Sequence, residues 1–240
     1  LILHLLGAGA SKGLVTDLQA GFTAQTGLEL ATYFNAVGAV QEKFLAGEAC
    51  DVVILSTALL DDLDRRGLLL VGTAAPIGTV RTGVAVPSGH PEPAISTGDE
   101  LAAALLASRG IYVPDTEGST AGIHVMRVLR ALGIEEAVRP YLRPFPNGAT
   151  AMRHLAESDE LNAIGCTQIT EIKYSPGLTL IGALPEPHGL STVYAAAVPA
   201  RTTQPEAARA LVALLTGSAS STLRVASGFD TPDQPRTAGR

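Results

Sequence analysis

Two turns rich in small residues carry the groups best placed to do chemistry. In the first, Gly7-Ala8-Gly9-Ala10-Ser11-Lys12-Gly13 follows an apolar run and precedes Leu14, Leu18 and Phe22 at helical spacing. In the second, Glu117-Gly118-Ser119-Thr120-Ala121-Gly122 follows a short apolar run and opens a helical pattern of Ile123, Val125, Val128 and Leu129. A turn of this kind between strand and helix leaves backbone N–H groups unpaired at the positive end of the helix dipole, where an anion is stabilised. Two such ends suit one anion held between them, with Ser11, Lys12, Ser119 and Thr120 adding hydroxyls and a cation. The plainer readings are a tight turn for the first and, for the second, a helix N-cap whose hydroxyl serves only first-turn amides.

Other chemistries find little footing. The first turn reads G-x-G-x-x-x-G, Tyr33-Phe34-Asn35 brings no ribose-binding acid, and neither a Tyr-x-x-x-Lys pair nor a G-x-x-x-x-G-K-[ST] loop occurs, so no nucleotide cofactor is expected. Cys50 and Cys166 lack Cys or His neighbours at metal-ligand spacing. They read as buried free thiols, and no metal is expected. His124 lies one turn into the second helix and reads as packed or solvated. His4, His90, His154 and His188 sit in unrelated contexts, with no Ser-His-Asp or paired-carboxylate spacing. No catalytic residue is assigned, so the chain is expected not to be an enzyme. Arg81 stands among Val80, Val84 and Val86, so its charge must face solvent or a cleft.

The 240 residues are 46% apolar, enough to bury a sizeable core, and carry a formal net charge of −6. The 17 Lys and Arg are scattered, which offers nothing to a nucleic-acid partner. No apolar run reaches the roughly 18 residues a membrane span requires. The chain starts inside an apolar segment, and a trimmed signal peptide is expected upstream.

An alternation of extended and helical patterns positions the two turns. Residues 1–6, 28–34 and 52–55 read as strands. The helical pattern through Phe22 ends at Gly27, that of residues 37–46 ends at Gly47, and a short helix with Leu59, Leu60 and Leu63 follows. That order predicts a parallel sheet covered on both faces, with ligand outside the carboxyl ends of the strands. Residues 77–86 form one long extended run. A second set follows, with a capped helix from Ser96 to about residue 108, a strand at 111–113, the helix closed by Gly133, a helix at 149–157, and strands at 161–166 and 178–184. Residues 192–198 can return beside the first long run, and helices at 205–216 and 218–226 end the pattern. The expected fold is two α/β lobes joined by two hinge strands, with lobe one from 1–81 and 193–230, lobe two from 82–192, and a polar tail at 231–240.

The segments Gly9-Ala10-Ser11, Phe22 with Thr26-Gly27-Leu28, Phe44-Leu45-Ala46-Gly47 with Asp51-Val52-Val53-Ile54, Thr120-Ala121-Gly122-Ile123 and Leu132-Gly133-Ile134 occur in one order and spacing. In them the chain, from Leu3 to about Phe229, resembles the bacterial periplasmic solute-binding proteins of the molybdate-binding type. The resemblance implies the type II periplasmic-binding-protein fold, a Venus flytrap that closes on an oxyanion with hydroxyls and amides. It implies a monomer outside the cytoplasm, periplasmic or extracellular, that delivers a small anionic solute to an ABC transporter permease. It carries Ser11 onto the family's first-loop serine and the Ala121 amide onto its second-lobe donor. The family's second-strand serine falls in Asn35-Ala36-Val37-Gly38-Ala39, which has no hydroxyl, and its late tyrosine falls near Gly165-Cys166. Two lost hydrogen bonds to a charged group, each worth about 1.5–3 kcal/mol, point away from molybdate.

The stretch from Ile164 to Ile172, with Gly182-Ala183-Leu184-Pro185, is similar to a generic branch of these proteins and puts Thr167 and Gln168 in the tyrosine's place. The expected ligand-binding set is Ser11, Lys12, Asn35, Gly38, Ala39, Ser56, Arg81, Ser119, Thr120, Ala121, Thr167 and Gln168. Amides with cations favour an organic carboxylate over a bare tetrahedral ion. Two other functions share the architecture. One is the ligand-sensing effector domain of a LysR-type transcription regulator, which an upstream basic helix-turn-helix would identify. The other is an anion-handling transferase, which turnover would identify.

Overall fold

The computed structural model describes residues 2–230, and the expected tail at 231–240 lies outside them. β1 (Ile2–Ala8) runs through a 3-10 turn (Gly9–Ser11) into α1 (Lys12–Thr26), β2 (Glu29–Asn35) into α2 (Val37–Leu45), and β3 (Val52–Ser56) into α3 (Thr57–Arg65). β4 (Ala75–Pro87) crosses to a second set: α4 (Gly98–Ala107), β5 (Ile111–Pro114), α5 (Thr120–Ala131), α6 (Glu135–Val138), β6 (Leu142–Phe145), α7 (Gly148–Ala156), β7 (Ile164–Gln168), α8 (Ile169–Tyr174) and β8 (Leu178–Ala183). β9 (Ser191–Ala197) returns, and α9 (Pro205–Thr216) and α10 (Ser221–Ala226) follow.

Local signals place these elements. α1 buries Leu14, Val15, Leu18 and Phe22 on one stripe and stops at Gly27, whose φ of 69° is the left-handed cap that glycine adopts without strain. α4 starts in a reciprocal capping box between Thr97 and Glu100. Every residue of β3 from Val52 to Leu55 is buried, as a strand covered on both faces requires. Three elements escape the periodicity reading. α6 and α8 are too short for a helical repeat, and β6, Leu-Arg-Pro-Phe, is a four-residue strand carrying a proline at the end of the sheet.

The strand order is β2-β1-β3-β9-β4-β7-β5-β6, with β8 also on β4. β1 pairs in parallel with β2 and β3, and β5 with β6 and β7. β4 belongs to both halves, pairing antiparallel with β9 over residues 75–81 and with β7 and β8 over 82–87. The molecule is therefore two α/β lobes, with the long strand β4 crossing between them and the shorter β9 returning antiparallel beside its first half, as expected. Each lobe has a core on each face of its sheet, set by the alternation of side chains along a strand. In lobe one Val52 and Ile54 pack with α1 and α9, while Val53 and Leu55 pack with α2 and α3. In lobe two Val84 and Cys166 face α4 and α5, while Ala85 and Tyr112 face α7.

Both cysteines are free and buried, and desolvation pushes each thiol up to about 12. Only the thiolate is an efficient nucleophile. The folded chain at pH 8 is expected to resist iodoacetamide, with two equivalents taken up in denaturant. Mass spectrometry checks this, and a singly alkylated native protein would contradict it.

Candidate ligand-binding cleft

Five of the helices begin at the same place. The pocket between the lobes is lined by Gly9 and Ala10 before α1, Ala36 and Val37 at α2, Ser119, Thr120 and Ala121 at α5, Gly148 at α7, and Gln168 at the cap of α8, joined by Ala8, Asn35, Glu171 and Tyr194. Each of these helices follows the carboxyl end of a strand, β1, β2, β5, β6 or β7, which is why their starts converge. With the lobes drawn together the pocket is small, a cavity of about 20 Å³. Among the described residues no Lys, Arg or His lines it, so the groups there that favour an anion are first-turn amides and helix dipoles.

Several hydrogen bonds join the lobes, Gln168 to Tyr194 and Lys173 to Ala226 among them, and two more lie at Gly38 and Asn35. The Gly38 amide donates to the Gly118 carbonyl at 3.1 Å, and Asn147 Nδ2 donates to Asn35 Oδ1 at 3.1 Å. Asn35 is kept in place from its own lobe by donating to Tyr33 Oη at 2.8 Å and accepting the Ala36 amide at 2.9 Å. Ser119 accepts the Gly122 amide at 3.0 Å and so is a helix cap, which leaves its one proton to donate into the pocket. Gln168 gives Nε2 to Tyr194 Oη at 3.1 Å, while its buried Oε1 has no partner among the described residues. Exchanging the two ends of that amide lets Oε1 accept the phenol proton and turns Nε2 to the free position, so Gln168 can serve an acceptor or a donor on a ligand.

Glu171 is the acid of the pocket. Its Oε2 accepts the Thr167 hydroxyl at 2.6 Å, and its Oε1 faces Gly9 of lobe one. Burial raises its carboxyl above the ordinary glutamate range, against the Thr167 hydroxyl and the amides of Gln168, Ala149 and Gly148, which favour the charged form. Burial also raises the Tyr194 phenol, and the neighbouring Glu171 adds to that shift.

Of the expected set, the pocket brings together Asn35, Ser119, Thr120, Ala121 and Gln168. Gly38 bonds across the cleft beside it. The others stand elsewhere. Ser11 is fully buried and donates to the Ala8 carbonyl at 2.8 Å, because the 3-10 turn points positions 9 and 10 at the cleft and position 11 at the core. Lys12 lies in a wider groove beside the pocket with its ammonium 5.1 Å from the Tyr174 ring centre. Thr167 is buried behind Glu171. Ala39 is on α2 and Ser56 at the start of α3, both half-buried and outside the pocket lining.

Arg81 alternates outward between buried Val80 and Thr82 and pairs with Asp230 at 3.1 Å, both side chains being 53% exposed. Arg81→Ala is expected to leave ligand-induced stabilisation intact and to change stability by no more than about 1 kcal/mol, as for an exposed ion pair. A lost ligand response in a thermal melt would contradict that. Sequence reasoning missed Glu171, Tyr194, Gly148 and Asn147. An acid inside the apolar Ile-Thr-Glu-Ile run was the available signal for the first.

The sequence profile of bacterial extracellular solute-binding proteins matches residues 3–230. The chain belongs to that family. The periplasmic molybdate-binding protein of Azotobacter vinelandii shares the fold with a TM-score of 0.78 at 18% identity, over 96% of this chain and 99% of that one. The sulfate-binding protein of Mycobacterium tuberculosis superimposes with a TM-score of 0.74 at 15% identity, over 97% and 87%. These neighbours establish the type II periplasmic-binding-protein fold. A Pseudomonas protein named aconitate isomerase is 25% identical over 222 residues, 89% of this chain and 81% of its own. For a solute-binding protein of this fold, the pocket between the lobes is the candidate site.

Proposed function

We propose that this chain is the extracytoplasmic receptor of an ABC importer and captures a small organic carboxylate between its lobes. The observation that carries the reading is the convergence of five helix N-termini on a pocket that no cation lines among the described residues. Asn35, Ser119, the Thr120 and Ala121 amides and Gln168 are the ligand donors, with Gly38 setting the closed approach of the lobes. A planar carboxylate matches amides arriving from two sides, and the adjoining groove with Lys12 and Arg153 offers room and charge for a second carboxylate. The Pseudomonas relative, an aconitate isomerase by name, brings a tricarboxylate into the same class. Residues 1–81 with 193–230, and 82–192, are the bodies that open and close about the two crossing strands. The receptor acts as a monomer on a membrane permease, with no nucleic-acid partner. Capture makes and breaks no covalent bond, so the ligand leaves as it arrived.

A thermal-shift panel of molybdate, tungstate, sulfate, phosphate, acetate, succinate, citrate and both aconitate isomers tests this. A ligand at about 100 times its dissociation constant adds about 2.7 kcal/mol of stability. Stabilisation by a carboxylate supports the reading, and a melt unmoved by every anion refutes it. Aconitate recovered as the isomer supplied supports capture alone, whereas isomer exchange would make the chain an enzyme.

A further inference from the structure

Capture of an anion as proposed above leaves one group in the pocket unexplained, the carboxyl of Glu171. Its place is built from both lobes. A Cβ on Gly148 of lobe two would meet Oε2, and one on Gly9 of lobe one would meet Oε1, so each lobe leaves out a side chain where the carboxyl sits. An ionised Glu171 and a bound carboxylate would be two like charges in a desolvated pocket that, among the described residues, no Lys, Arg or His lines. A neutral carboxyl removes the repulsion and also becomes a hydrogen-bond donor, the role in which an acid complements a carboxylate.

We propose that Glu171 holds a proton when the pocket is occupied and donates it in a hydrogen bond to the ligand, so that each anion is captured together with one proton. This rests on the anion-capture reading and adds the protonation state and the donor. Burial of Glu171 already biases the empty pocket toward the protonated form. The other titratable groups around α8 leave that bias in place. Tyr194 on β9 is held neutral by burial, Lys12 of α1 lies over Tyr174, and Lys173 of α8 bonds the Ala226 carbonyl. On α7 His154 stacks on Phe145 and Arg153 is exposed, and on β4 Arg81 pairs with Asp230.

The sign follows from linkage. Above the pKa of Glu171 in the empty protein, the binding-competent fraction falls tenfold per pH unit, and the apparent affinity falls with it. Succinate, fully ionised from pH 7 to 9, is the probe. Calorimetric titration across that range, repeated in two buffers of different ionisation enthalpy, is expected to show an affinity decreasing toward a tenfold loss per unit and uptake of up to one proton. Glu171→Gln is expected to lose that slope. A flat wild-type profile without proton uptake, or a slope that survives in Glu171→Gln, overturns the proposal. Where succinate gives no heat, the carboxylate that stabilises the chain in the thermal-shift panel replaces it as the probe, and a panel without any such ligand counts against the anion-capture reading instead. In the complex with the probe at pH 7, a protonated carbon-13 shift of the Glu171 carboxyl sustains the proposal and an ionised one overturns it.

Discussion

Gly122→Ala is expected to destabilise the chain by about 3 kcal/mol and to abolish its stabilisation by ligand. Gly-to-Ala inside a helix ordinarily gains about 0.5–1 kcal/mol, because alanine loses less backbone entropy on folding. Here that gain is overwhelmed. A Cβ at Gly122 would run into the Asp115 carbonyl oxygen, with the Pro114 oxygen 2.6 Å away and the Asp115 carbonyl carbon 2.7 Å away. All three are backbone atoms, so no rotamer change relieves the contact. The turn beneath is tied as well, since Ser119 N donates to the Asp115 carbonyl at 3.2 Å and Gly122 N donates to Ser119 Oγ at 3.0 Å. Relief requires the first turn of α5 to lift off the end of β5, at the upper end of the usual cost of overpacking. Ser119, Thr120 and Ala121 move with it, and the pocket loses one of its five amide sources. Urea denaturation measures the first effect and a ligand melt the second. A variant as stable as the parent would refute the packing account.

Gly148→Ala is expected to block the pocket at a smaller cost in stability, about 1–3 kcal/mol. The new methyl would clash with Glu171 Oε2 and Thr167 Oγ1 and lie 2.5 Å from Glu171 Cδ. These are side-chain atoms, but neither can simply swing aside. Thr167 is fully buried, and its hydroxyl is bonded to Glu171. The open space next to the carboxyl is the pocket, and a carboxyl displaced there occupies the ligand's room. The two glycine variants therefore separate two losses, one through collapse of a wall and one through an internal group filling the site. A Gly148→Ala protein that still responds fully to ligand in a thermal melt would show that the carboxyl has another way out.

The alternation of strand and helix, the two crossing strands and the covered parallel sheets were legible in the sequence. They rest on repeats of two and 3.6 residues, and on glycine stops such as Gly27, that local chemistry sets. The second small-residue turn was equally legible as a helix start, since Ser119, Thr120 and Ala121 stand where a helix exposes its first amides whatever packs around it. Ser11 shows the limit. The same motif in the first loop predicted a pocket hydroxyl, but a three-residue 3-10 turn rotates position 11 into the core and offers Gly9 and Ala10 to the cleft. Arg81 shows another, because period two says only that it faces away from Val80 and not whether a cleft lies there.

Glu171 and Gly148 belong to the tertiary structure altogether. Their meaning depends on two lobes, separated along the chain by a crossing strand, each leaving a Cβ-sized gap around one carboxyl. The sequence by itself determined the elements and their order, because those follow from neighbours along the chain. Only the tertiary structure decided which helix starts meet and which acid stands among them, because those follow from neighbours through space.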